Sequence, residues 1–323
     1  MSDNLREIGG YFGLEEFSGT EYHDGLIGVN SGRNALLYII KSRKIKKLFI
    51  PAFLCDTVYK LCERENCEYE FYHIDSNFRP VFTGDLRDGE WLYIVNFYGQ
   101  ISNDEIIRFK SRYGNVIFDN VQDFFRKPVK GIDTIYSCRK FFGVPDGGYV
   151  STDVVLEEPL EIDYSADRMT HILGRFEKSG SEFYSFFQEN DENFYDLGLK
   201  SMSRITKNIL KAVDYDSVIS VRNENYEYLH NTLGNYNKLN LISPNGAYCY
   251  PFYCENGMEI KRKLAKIKIY IPTLWPDVSD NGNELETSYA ENILPIPCDQ
   301  RYNKEDMDRI LKEMNVYEKF WRK

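Results

Sequence analysis

Between about residues 25 and 155 the chain alternates short apolar runs of β character with amphipathic runs of helical period. That alternation is what most constrains the fold. "LIGVNSGRNALLYIIKSRK" reads as a strand, a turn and a helix, with Ala35, Leu36, Ile39 and Ile40 recurring at helical spacing. "KKLFIPAF" reads as a buried strand, and "CDTVYKLCERENC" as a helix with Val58, Leu61 and Cys62 on one face. "YEFYHID" and "EWLYIVNFYG" are strand patterns, and "SNDEIIRFKSRYG" is a helix closed by Gly114. "NVIFDN", "GIDTIYS" and "GGYVST" add three more strands. Strands that alternate with helices predict an α/β fold with a mainly parallel sheet, because each parallel pair needs a crossover and the crossover helix covers a sheet face. Ligands in such sheets sit beyond the carboxyl ends of the strands, so polar residues at those ends are the candidates for a site.

The remainder reads differently. Residues 156 to 200 are acidic and aromatic with helical patches. A long helical stretch, "SMSRITKNILKAVDYDSVISVRNENYEYLHNTLG", runs to Gly234. Then come a strand in "AYCYPFYC", a helix in "GMEIKRKLAKI", a strand in "IYIPTLWP" and a last helix from Lys304. The 323 residues are enough for two domains. The expected division is an N-terminal segment (1–24), a large α/β domain (25–205) and a smaller α+β domain (206–323).

Charge and composition narrow the function classes. The net charge is −10, with no basic stripe or Lys/Arg-rich arm, which argues against a nucleic-acid partner. The one dense basic run, "KSRKIKK", reads as a solvated helix end, where cations suit the helix dipole. No apolar run reaches the length of about 18 residues that a membrane span needs. "MSDNLREIGG" has no apolar signal core. Seven cysteines occur, an odd number, without a CxxC pair; Cys249 and Cys254 lie five apart with no accompanying histidine. This is not metal-site spacing, and free thiols fit a reducing cytoplasm. The expectation is a cytoplasmic protein with neither a metal nor a membrane partner.

Three patterns at strand ends carry chemistry. "NSGRNAL" puts Ser31, Gly32, Arg33 and Asn34 at the start of a helix, where free amides bind phosphate; the same residues also suit an ordinary helix cap. "VIFDNVQDFF" delivers Asp119 at the end of an apolar strand, with Gln122 three residues on. Asp119 is placed to contact a ligand or to cap the next helix. "IYSCRKFFGVPDGG" sets Ser137 and Lys140 ahead of Asp146, Gly147 and Gly148, where the lysine is either a functional amine or a surface residue of a hairpin loop. Taken together, an amine able to bond a carbonyl carbon, a carboxylate for a pyridinium nitrogen and an anion nest are what pyridoxal phosphate requires. Phe141 and Phe142 are expected to keep the lysine partly dry, which favours the free amine.

At these residues the chain resembles the DegT/DnrJ/StrS family of pyridoxal-phosphate-dependent sugar aminotransferases, of fold type I, from about residue 25 to the C-terminus. "IPAFLCDTVYKLCERENCEYEFYHID" is similar to the family's Pro-led strand, helix and "D-I-D" strand end. "IVNFYGQISNDEIIRFKSRYGNVIFDNVQDFF" resembles its "H-L-Y-G-Q … V-I-E-D-A-A-Q-A" block. "SMSRITKNILKAVDYDSVISVRNENYEYL" looks like the long helix that joins its large and small domains. The resemblance implies Lys140 as the lysine that bonds the cofactor, Asp119 as the partner of the pyridine nitrogen and Gln122 as a cofactor-facing amide. It implies phosphate contacts from Gly32 and Arg33, with Asn34 in the same loop. The chain also departs from the pattern. The phosphate-binding serine five residues before the lysine is Ile135, with Ser137 as a substitute; the loop threonine is Arg33. The ring-stacking aromatic falls at Cys55, with Phe53 or Phe97 as replacements, and no Asn-x-Arg stands out in "LGLKSMS".

The implied activity moves an amino group from an amino-acid donor, glutamate by resemblance, to a keto-sugar nucleotide, in a homodimer. A non-catalytic relative serving as sensor or subunit is the alternative. The family's dehydratase branch has histidine in place of the lysine, so Lys140 argues against it. A nucleotide-binding protein without this cofactor would call for a GxGxxG or Walker loop, which is missing.

Overall fold

The computed structural model describes residues 8–315. The first seven residues, expected to lack a signal core, and the last eight, expected to close the second domain, lie outside the described residues. The main sheet is built from β1 (Ile27–Val29), β2 (Lys47–Pro51), β3 (Glu68–Ile74), β4 (Pro80–Val81), β5 (Glu90–Val95), β6 (Val116–Asp119), β7 (Asp133–Ser137) and β8 (Gly148–Ser151). Their spatial order is β1-β8-β7-β6-β5-β2-β3-β4. The central pairs β7–β6, β6–β5, β5–β2 and β2–β3 are parallel. β8 turns back antiparallel on β7 and carries β1 antiparallel at its other side. The order reverses between β2 and β5, and β5, β6 and β7 end together on that side of the sheet, where ligands bind in open α/β sheets.

The central strands are buried on both faces, as helix-covered parallel strands are: every residue of β6 and β7 is buried. The helices beside them are α1 (Gly32–Arg43), α2 (Asp56–Arg64) and α3 (Asn103–Tyr113). Ser31 caps α1 by accepting the Asn34 amide, and Ser102 with Glu105 forms a full capping box on α3, which Gly114 ends at φ 73°.

Beyond β8 come α4 (Thr170–Glu177), α5 (Tyr184–Asn193), α6 (Arg204–Lys211) and α7 (Tyr215–Leu233). The expected single helix is two, because Asp214 caps a new start by accepting the Ser217 amide. The chain closes with β9 (Tyr250–Tyr253), α8 (Gly257–Lys266), α9 (Glu284–Asn292), β10 (Ile293–Ile296) and α10 (Lys304–Asn315). "IYIPTLWP" is not a strand. Ile269 and Ile271 are buried, but Pro272 has no amide for a ladder. β9 pairs instead with β10, Pro251 opposite Pro295, a two-stranded ribbon in which prolines can sit at edge positions. One apolar core lies around the central sheet. A second joins α7, α8, α10, β9 and β10, and a third, rich in phenylalanine, lies under the loop after β7.

Candidate active site

β6 ends in Asp119, which is buried. Its Oδ1 accepts the Val121 amide at 2.8 Å, and its Oδ2 accepts the Tyr93 hydroxyl from β5. Burial pushes the Asp119 carboxyl above its ordinary value, against the Lys140 ammonium and the two hydrogen bonds. A buried carboxylate in this state gains most from a cation placed beside it. Gln122 is also buried, its Oε1 fixed by the Tyr98 amide at 2.8 Å.

β7 ends in Ser137, and the chain then turns tightly: the Cys138 carbonyl accepts the amides of Phe141 at 3.0 Å and Phe142 at 2.9 Å. Lys140 is exposed on the cleft, its Nζ 5.9 Å from the Tyr248 ring. Here the expectation about the two phenylalanines is corrected. Their rings do not wrap the lysine; they pack with Phe124 and Phe125 in the third core. The Phe141 carbonyl accepts Gln300 at 2.7 Å and Arg222 at 3.3 Å. The aromatic pair therefore anchors the loop that presents Lys140.

The Asp-Gly-Gly that follows has a mechanical role. Asp146 is fully buried and accepts the Ser203 amide at 2.8 Å, the Ser203 hydroxyl at 2.6 Å and the Thr206 hydroxyl, which fastens the turn to the start of α6. Gly147 has φ +115°. A Cβ on Gly148 would meet Ser31 C and O and Tyr136 O at 2.8 Å. The glycine thus lets the loop ahead of α1 lie directly on the hairpin.

That close approach places the α1 N-terminus opposite Ser137: a Cβ on Gly32 would stand 3.2 Å from Ser137 Cβ. The Arg33 guanidinium lies over the Tyr195 ring, 4.1 Å from its centroid, and its Nε and Nη1 are buried without a hydrogen-bond partner among the described residues. Asn34 does not reach the cleft. Its Nδ2 donates to Asn30 Oδ1 at 2.7 Å and to the Gly198 carbonyl at 2.6 Å, so it ties α1 to a neighbouring segment.

Gly32, Arg33, Cys55, Asp119, Gln122, Ser137 and Lys140 line one cleft of about 240 Å³. Cys55 is there as the residue ahead of α2, not as an aromatic. Phe53 and Phe97, the expected replacements, are buried behind Trp275, with ring centroids 4.5 and 5.2 Å from it. Trp275 stands on the cleft wall, as do Tyr93 and Phe194. It arrives from coil at φ 55°, with no periodicity to mark it; its only signal is a tryptophan directly before a proline.

A second cleft of about 540 Å³ shares Ser137, Arg139, Lys140 and Asp191 with the first. Arg175, Lys268, Arg301 and Arg309 stand on its walls. Arg301 is engaged by both oxygens of Asp299, at 2.7 and 2.8 Å. Among the described residues no group of three His, Cys, Asp or Glu side chains is arranged as metal ligands, and no helix is long and apolar enough to cross a membrane.

An aminotransferase from Brucella abortus described as DegT DnrJ EryC1 StrS has a TM-score of 0.61 to this chain, with 16% identity over 90% of this chain and 85% of its own. The chain has the fold of these aminotransferases. A sugar aminotransferase from Micromonospora echinospora gives a TM-score of 0.60 at 11% identity, covering 90% of this chain and 87% of its own. The NtdA protein of Bacillus subtilis, crystallised with bound cofactor PMP, gives 0.63 at 12% identity, covering 90% and 72%. No family model and no curated protein matches the sequence. This is a fold type I, α/β architecture, reached at an identity where the fold alone is shared.

The residues also fit the cofactor that the sequence suggests. A buried carboxylate stands on the same cleft as two unpartnered guanidinium nitrogens and a glycine cradle. Lys140 is exposed on the wall of that cleft.

Proposed function

We propose that the chain is a divergent DegT/DnrJ/StrS aminotransferase. It uses pyridoxal phosphate to move an amino group from an amino acid, glutamate by resemblance, to a keto-sugar nucleotide, in cytoplasmic amino-sugar or surface-polysaccharide synthesis. The observation that carries this is the convergence of Lys140, Asp119 and Arg33 on one cleft at the strand ends. Pyridoxal phosphate, when bound, supplies an electron-withdrawing ring that makes the hydrogen next to an amine acidic. Asp119 would pair with the ring nitrogen and keep it protonated. Gly32, Arg33 and Ser137 would hold the phosphate, and Gln122, Cys55 and Trp275 would form the walls about the ring. Lys140 would bond the cofactor through Nζ and carry the proton to and from the substrate carbon. The larger cleft beside Lys140, with Arg175, Lys268 and Arg309 on its walls, supports an anionic acceptor.

Borohydride treatment of the protein reconstituted with pyridoxal phosphate should fix the cofactor on the peptide that contains Lys140. Lys140→Ala should still bind it through Arg33 and Asp119 and lose transamination by about 10²-fold or more. Label on a different lysine, or wild-type turnover in the variant, would end this reading. Label on Lys140 without an amino-donor half-reaction would favour the non-catalytic relative.

A further inference from the structure

We infer that the segment closing α5 is a positioning element for the anion end of the small cleft: Tyr195 holds Arg33 and Phe194 holds Arg139, so that a guanidinium from α1 and one beside Lys140 face the same phosphate. The inference rests on the cofactor reading above and concerns residues that reading leaves unused.

Arg33, Arg139 and Phe194 line the same cleft. The Arg33 guanidinium carbon is 4.1 Å from the Tyr195 ring centroid, and that of Arg139 is 4.8 Å from Phe194 and 5.9 Å from Phe187. Stacking on a ring fixes the plane of a guanidinium and leaves its N–H edge free for an oxyanion. Arg33 meets this description, since its Nε and Nη1 are buried with no hydrogen-bond partner among the described residues. Arg139 gives one N–H to Asp191 at 2.9 Å. A third guanidinium, Arg168, lies 5.2 Å from the Phe194 ring and pairs with Asp163 at 2.7 Å. Three guanidiniums thus share two carboxylates. The crowding is felt: burial pulls Arg139 below its ordinary range, and Arg33 and Arg168 add to the effect against Asp191. The arrangement is short of one anion.

The segment is itself fastened. The Tyr195 carbonyl accepts Arg64 Nη1 at 2.7 Å, and Asn190 donates to the Pro145 carbonyl at 2.9 Å. The same cleft is apolar at Ile135, where the resembled family carries a phosphate-binding serine. In this chain stacked arginines join Ser137 at the anion end, and such a site depends on the rings that aim them.

The test uses the full-length apoprotein and three probes: pyridoxal phosphate, pyridoxal without the phosphate, and inorganic phosphate, followed by absorbance titration and calorimetry. Arg33→Gln and Tyr195→Ala should each weaken pyridoxal phosphate roughly tenfold or more, the scale of one charge-assisted contact. Tyr195→Phe keeps the ring and should stay within about twofold of wild type. Arg139→Gln should weaken the same probe, and pyridoxal affinity should be unchanged in all four variants. Wild-type affinity in Tyr195→Ala beside a loss in Arg33→Gln would overturn the positioning role. So would a parallel loss of pyridoxal, which would mark a merely structural effect. If wild type binds neither pyridoxal compound, the aminotransferase reading fails and inorganic phosphate decides alone. Phosphate bound by wild type and lost in both Arg33→Gln and Tyr195→Ala keeps the inference; phosphate not bound by wild type, or bound by either variant, removes it.

Discussion

Burial acts on Asp119 and His23 in opposite directions, because it opposes charge of either sign. Asp119 is raised by its burial, against Lys140 and its two hydrogen bonds. His23, packed among Tyr22, Phe124, Tyr136 and Tyr149 and bonded to the Phe124 carbonyl at 2.6 Å, falls from its ordinary 6.5 to about 4. Burial is the main cause and Lys127 adds to it, while the Phe124 bond works the other way. The folded state thus holds His23 neutral where the unfolded chain takes up a proton. The associated stability is complete above pH 6.5 and is lost as pH falls from there through about 4, up to about 3 kcal/mol. Thermal melts between pH 6.5 and 5, above most carboxyl titrations, should show a stability slope that His23→Gln flattens. An equal slope in both proteins would clear His23 of the role. At this scale the sequence was most informative where a residue ends a strand or starts a helix, as Asp119, Ser137, Gly32 and Arg33 do; Lys140 lies in the turn after β7 and was marked by the glycine pair that follows it. Trp275, Phe194 and Tyr195 lie in coil or at a helix end, where no period or cap marks them.

At the scale of elements, the turn between β7 and β8 holds the site together. Asp146 clamps it to α6, and Gly148 admits the Ser31 backbone against the hairpin. Gly148→Ala sets a methyl against three backbone atoms, none of which can rotate away. It should cost about 1–3 kcal/mol in stability and weaken pyridoxal phosphate binding, because the α1 N-terminus must retreat. Gly143→Ala, whose Cβ would meet only Ile172 Cγ2 at 3.7 Å, should melt and bind as wild type. Equal behaviour of the two variants would contradict this account of the motif. The glycine pair was legible as a turn, but what it touches is a tertiary fact. Proline misled in the same region of inference: "IYIPTLWP" has strand composition and forms none, while "ILPI" contains Pro295 and pairs along its whole length. A ribbon of two strands leaves edge positions where a missing amide costs nothing.

Across the whole molecule, exposed apolar side chains gather in two places. One is the arm before β1, where Ile8, Tyr11 and Phe12 are each 97% exposed. The other is the α4–α5 pair, which exposes Leu173, Phe176, Tyr184 and Phe186. The arm is fastened to α6 where Asn208 bonds the Glu15 carbonyl at 2.7 Å and the Phe17 amide at 2.9 Å. Apolar patches of this kind mark contact surfaces. α5 also turns Phe187 and Asp191 toward the larger cleft, so a neighbour covering α4 and α5 would brace the wall of the site. Fully burying such a side chain contributes about 1.5–3 kcal/mol. Leu173, Phe176, Tyr184 and Phe186 are 57%, 91%, 56% and 44% exposed, so the exposed shares, doubled by two-fold symmetry, supply about 7–15 kcal/mol. The cost of association is about 4–15 kcal/mol, so burying this patch is worth about as much as association costs. We expect a homodimer that buries α4 and α5, and we expect the double variant Leu173→Asp, Phe176→Asp to be a monomer. Light scattering at micromolar concentration with pyridoxal phosphate present reads the outcome directly. A monomeric wild type would remove the dimer, and a double variant that stays dimeric would move the interface elsewhere on the molecule.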